Sequence, residues 1–284
     1  MAMVWSVGAA VREQAVQEGP SSCGATAVLN VLRALGLGSA TSADAVEQCV
    51  RTRLREQDAL LPQYLLSRSV AGATHDQLLE GAEMASEGRV TGRFFSFYPD
   101  RAVDLIAWLA GWISKGAVPV ATMNMQVAVP EGEEIPDAWH HQMIFGVGPE
   151  GIYMTNPLEL MESHVVKRRL CSASLLLIRE EDVLSHLPQV AGPCVLTEFQ
   201  DHPAWRELDV VVSNKNTPKC WRNSAGLSAS TGDKEILPTF QPVPFFKEHF
   251  GAFLLQSQRL QTSLFLPGNP RFGDGMSCDQ HCKI

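Results

Sequence analysis

The spacing of apolar residues changes once along this chain, near Gly116, and that change constrains the fold more than any other feature. Upstream, apolar residues recur every three or four positions, the period of a half-buried helix. Ala27, Val28, Val31, Leu32 and Leu35 predict a helix over 21–36 that Gly36 closes. A second helix is expected over 42–54, behind Thr41 with Asp44 three residues on, and a third over 75–87, behind Thr74 with Gln77 in the matching position. A fourth starts at Asp100 and runs through Val103, Leu105, Ile106, Leu109 and Ile113 to about Gly116. Downstream, residues 118–128, 140–148 and 152–156 read as strands, with the turn Gly148-Pro149-Glu150-Gly151 joining the last two as a hairpin. A strand over 174–179 and a short helix over 180–187 follow. Helices first and a mostly antiparallel sheet second define an α+β chain through about residue 190.

Length and composition narrow the function classes. The 284 residues suffice for one large domain with an extension, and we expect a catalytic domain over 1–195 followed by an extension over 196–284. Seven of the 17 prolines fall in 200–284, where strand signals are brief (208–213 and 250–256) and the last dozen residues are expected to be disordered. With 23 basic and 31 acidic residues the formal net charge is −8, the wrong sign for a nucleic-acid binder. No uncharged run reaches the length of a membrane span, and no secretory leader is read at the start. The seven cysteines are sparse and odd in number, which points to free thiols in the cytoplasm.

One of them stands where thiols become reactive. Cys23 opens the first amphipathic helix, at the positive end of its dipole and beside N–H groups that have no intrahelical partner. Both features favour thiolate over thiol, so the position suits a nucleophile; for a lone cysteine, a buried structural role is the competing reading. Gly24 is expected to let a ligand approach the backbone. Gln17, six residues before Cys23, is placed to donate its amide N–H beside the Cys23 N–H, as an oxyanion hole requires. His140 begins a strand and Asn156 closes the returning one sixteen residues later, so an Asn carbonyl can hold an imidazole in the tautomer that exchanges a proton with a thiol. His141 is the alternative base, since only one of two successive strand residues faces Cys23. The acidic stretch Glu131, Glu133, Glu134 and Asp137 ahead of them is either a solvated loop or a selector for a basic group. Cys278, His281 and Cys282 are too few for structural zinc, and no metal or organic cofactor is expected.

The order Gln17, Cys23, His140, Asn156 resembles the papain-like cysteine peptidase superfamily. The spacing from His140 to Gly146, Gly148-Pro149 and Asn156 is similar to the superfamily's His-to-Asn segment. The block Gly116-Ala117-Val118-Pro119-Val120 ahead of it resembles the double-glycine, bacteriocin-processing type. Cys23-Gly24 and the helix behind it are also similar to phytochelatin synthase, a transpeptidase on the same fold. The likeness spans about residues 12–190. It implies a papain-like fold and a peptidase acting on a protein or peptide substrate. In that reading Cys23 is the nucleophile, His140 the acid/base, Asn156 its orienter and Gln17 the oxyanion donor. Pro157 and Leu158 stand where papain-type enzymes carry a tryptophan, which fits the double-glycine type better. Two alternatives stay open: an acyl or peptidyl transferase, and a silent papain-fold binding protein.

Overall fold

The computed structural model describes residues 1–38, 42–130, 133, 136, 139–172, 185–186 and 251–257. In chain order these form β1 (Ala2–Met3), α1 (Val7–Glu13), α2 (Cys23–Ala34), α3 (Ala43–Val50), α4 (Leu61–Val70), α5 (His75–Ala85), β2 (Val90–Ser96), α6 (Leu105–Ile113), β3 (Val118–Asn124), β4 (Trp139–Gly148), β5 (Gly151–Met154), β6 (Glu159–Met161), α7 (Ser163–Leu170) and β7 (Gly251–Ser257). The architecture is α+β: helices packed on an antiparallel sheet of seven strands in the order β2-β7-β3-β4-β5-β6, with β1 beside β4. The brief strand signal at 250–256 becomes β7, which pairs with β2 on one side and β3 on the other.

Side chains alternate across β3 and β4, and the alternation builds two cores. Val118, Val120, Met143 and Phe145 join Val28, Val31, Leu32, Val46, Val50 and Leu78 on the face covered by α2, α3 and α5. Ala121, Met123 and Ile144 join Leu105, Leu109, Val166 and Leu170 on the face covered by α6 and α7. At Gly146, where β1 pairs with β4, the Met3 thioether lies where a Cβ would stand, so a larger residue would push that side chain aside.

Helix starts follow cap chemistry. Thr74 accepts from the Gln77 N–H at 3.3 Å and the Gln77 side chain accepts from the Thr74 N–H at 2.9 Å, the reciprocal box expected from the sequence. Helix α3 is capped by Ser42, whose hydroxyl accepts from the Ala45 N–H at 3.2 Å, and Thr41 lies outside the described residues. The fourth expected helix starts five residues later than the sequence suggests. Asp104 is its cap, accepting from the Ala107 N–H at 3.0 Å, while Asp100 is taken by Lys167 and the Cys171 thiol. Short elements escape periodicity altogether. The seven-residue α1 is too brief to show a period, and β2 reads as an aromatic cluster. Its Phe95 packs edge-on against Trp108 of α6, with ring centroids 5.3 Å apart. Cys49 is only partly buried on α3. The strand over 174–179, the strand over 208–213 and the Cys278–Cys282 cluster lie outside the described residues; of the expected helix over 180–187, only Ser185 and His186 are described, and they form a turn. No helix among the described residues is long and apolar enough to cross a membrane.

Candidate active site

Cys23 is the first residue of α2 and is buried, with 5 % of its surface exposed. The helix forms here because a run of small and branched apolar residues follows, every one from Cys23 to Leu32 buried. Ser22 at the cap makes no side-chain cap bond, so it does not occupy the first-turn N–H groups. Ser21, 4 % exposed, carries a hydroxyl with no partner among the described residues. Gly24 has a packing role. A Cβ there would lie 2.9 Å from Leu78 Cδ2 and 3.3 Å from His141 Cδ2, so only glycine lets α2 settle this closely on α5 and β4.

The segment before α2 is tied down by a residue that the pattern reading missed. Asn30 is fully buried within the apolar helix. Its Oδ1 accepts from the Ala15 N–H at 2.6 Å and its Nδ2 donates to the Ala15 carbonyl at 3.0 Å, the two-point bond one strand makes to another. Nδ2 also lies 3.4 Å from Thr155 Oγ1. A lone Asn seven residues from Cys23 on an otherwise apolar face was the available signal.

Ala15 leads directly to Gln17, and Gln17 meets Asn156. The Gln17 N–H donates to Asn156 Oδ1 at 3.0 Å, and Asn156 Nδ2 donates to Gln17 Oε1 at 3.1 Å. Asn156 is 2 % exposed and has a left-handed backbone, φ +59°, which asparagine tolerates better than most residues. Its N–H donates to Gln14 Oε1 at 3.2 Å. The side-chain amide expected to orient an imidazole is therefore engaged with Gln17. The backbone carbonyl takes the histidine instead: His140 Nε2 lies 2.6 Å from the Asn156 oxygen. A carbonyl only accepts, so Nε2 carries the proton and Nδ1 is the basic nitrogen of the neutral ring.

The two histidines are disposed differently. His140 is partly exposed and linked through Asn156 to Gln17. His141 is 5 % exposed and lies across β3 from Thr122, whose hydroxyl is 2.9 Å from His141 Nδ1. It shares the α2 face of the sheet, its ring against Gly24. The sequence-expected residues Gln17, Asn156 and His140 thus form one bonded chain, while His141 contacts the first turn of the helix that Cys23 opens. Among the described residues no group of three His, Cys, Asp or Glu is placed to hold a metal ion. Of the acidic stretch only Glu133 is described, and it is exposed.

Comparison with protein-family models, with curated proteins and with solved structures finds no match for this chain.

Proposed function

We propose that the chain is a cysteine-type hydrolase of the papain-like kind, cleaving a peptide or isopeptide amide through a thioester on Cys23. The observation that carries the reading is the His141 ring against Gly24, the residue next to Cys23, on the face of β4 that α2 covers, with Gln17, six residues ahead of Cys23, bonded to Asn156. In this reading His141 takes the Cys23 proton and the thiolate attacks the substrate carbonyl. The oxyanion is met by the Cys23 N–H and the Gln17 amide. The imidazolium then protonates the leaving amine, and water, deprotonated by the same ring, releases the acid. His140, on the other face of β4 with its Nε2 on the Asn156 carbonyl, is the second assignment of the base and leaves the rest of the mechanism unchanged.

A generic acyl donor tests the reading without knowledge of the substrate. Incubated with p-nitrophenyl acetate, the protein is expected to carry an acetyl group on Cys23 by peptide mass spectrometry and to release nitrophenolate beyond one equivalent. Added amine that captures the acetyl group in preference to water would make the enzyme a transferase. A folded protein whose Cys23 stays unmodified would overturn the hydrolase and the transferase together and leave a binding protein.

A further inference from the structure

The amide orientation of Gln17 is fixed by a chain of donors and acceptors that starts from the backbone. The Gln17 N–H can only donate, so the atom of the Asn156 side chain facing it at 3.0 Å must be the oxygen. That places the Asn156 NH₂ toward the Gln17 side chain, 3.1 Å away, and an NH₂ there requires an oxygen opposite it. Gln17 Oε1 is thereby held inward and its Nε2 is turned away from Asn156, bonded to no described residue. Without this constraint the two ends of the Gln17 amide are nearly equivalent in shape, and half of its orientations would present an oxygen to the oxyanion.

Asn156 is itself immobilised from three further sides. Its N–H is held by Gln14, and its carbonyl takes His140 Nε2 at 2.6 Å and Gln142 Nε2 at 3.4 Å. None of these contacts uses its side chain. The side chain therefore serves Gln17 alone.

We infer that Asn156 is a positioning residue for the oxyanion hole, its side-chain amide presenting the Gln17 N–H₂ to the developing oxyanion, while its backbone carbonyl anchors His140. The inference rests on the Cys23 acyl-transfer reading and deepens it. It separates two roles in one residue, because a side-chain substitution touches the first and spares the second.

The test compares two reactions at the same sulfur. Acetylation by p-nitrophenyl acetate forms the C–S bond through a tetrahedral oxyanion, and nitrophenolate leaves with the electron pair of the broken C–O bond. Alkylation by iodoacetamide displaces iodide in one step and forms no oxyanion. Asn156→Gly keeps the left-handed backbone and the carbonyl, and Asn156→Asp keeps the size but faces Gln17 with acceptors only. Asn156→Gly is expected to lower the acetylation rate roughly 10-fold or more, up to the 10²-fold of one lost oxyanion donor. Asn156→Asp should lower it further, because the carboxylate attracts Gln17 Nε2 and turns Oε1 toward the reacting carbonyl. Alkylation of Cys23 should change less than about 2-fold in Asn156→Gly, since that step forms no oxyanion for Gln17 to meet. The double variant Gln17→Ala/Asn156→Gly should be no slower than Gln17→Ala, because the two residues act as one unit. Equal loss of both reactions, or additive losses in the double variant, would overturn the inference and leave Asn156 a structural residue. Wild-type Cys23 that alkylates but never acetylates would instead overturn the acyl-transfer reading beneath it.

Discussion

Both faces of the sheet carry an apolar core, but they treat their buried polar groups differently. On the face under α2, buried polar side chains are tied to the segment that reaches the thiol: Asn30 to Ala15, and Thr122 to His141. On the face under α6 and α7, they tie structural elements to one another. Arg169 donates to the Val127 carbonyl at 3.2 Å and lies 3.6 Å and 3.4 Å from the Met125 and Met161 sulfurs. Burial pushes its guanidinium pKa down, opposed by the nearby Glu159. Gln142 donates to Glu159 at 2.6 Å and binds β4 to β6. A buried polar group costs free energy unless paired, so each cluster has to be satisfied locally. The first holds the segment that carries Gln17, and the second touches the site at one point, where Gln142 Nε2 lies 3.4 Å from the Asn156 carbonyl. Similar stabilising chemistry thus builds mostly scaffold on one face and most of the site on the other.

That contrast can be broken at several strengths. Leu32→Ala under α2 and Leu109→Ala under α6, both fully buried, should each cost about 2–5 kcal/mol in urea unfolding. A value near zero for either would mean that its face is not a core. Asn30→Leu and Arg169→Met should each cost about 1–3 kcal/mol by stranding buried partners. Only Asn30→Leu should also slow Cys23 acetylation, because only it releases the segment that carries Gln17. If Arg169→Met slows acetylation as much, the division between scaffold and site fails. Thr74→Ala, which opens the reciprocal cap of α5, should cost about 1 kcal/mol and leave Cys23 chemistry untouched.

The smallest effect concerns a second thiol. Burial, with help from a bond to Asp100, pushes the Cys171 pKa up to about 11. The folded thiol therefore holds its proton where the unfolded one, with an ordinary value of 9.0, loses it. Its contribution to stability is full below that value and falls as pH rises toward about 11. Cys171→Ser should flatten that part of a pH–stability profile, measured by urea unfolding between pH 8 and 11. An unchanged slope would mean that Cys171 ionises alike in both states.

Much of the frame was legible because its residues repeat. The apolar spacing of α2, the Thr74–Gln77 box of α5 and the alternation in β3 and β4 are local signals, and the structure follows them to within a few residues. The elements that periodicity missed are short, such as α1, or gain their stability from distant partners, as β2 does from β7. At the site, the approach of Gln17 to Asn156 was implied by their order but the bond between them was not. That bond depends on Asn30 holding Ala15, on Gln14 holding the Asn156 N–H and on a left-handed backbone at Asn156. None of these leaves a periodic trace. The packing role of Gly24 left no local trace for a similar reason: its neighbours Leu78 and His141 arrive from elements far away in the chain.

The central claim is that Cys23 is an activated thiol whose base is a histidine of β4. Its most direct test is the pH dependence of Cys23 alkylation by iodoacetamide, followed by peptide mass spectrometry in wild type, His140→Ala and His141→Ala. The account predicts fast labelling well below the ordinary thiol pKa of about 8.5, lost in His141→Ala and retained in His140→Ala. Loss in His140→Ala alone would move the base to the neighbouring residue on the other face of β4. Labelling in all three proteins that rises only with an ordinary thiol titration would contradict the claim.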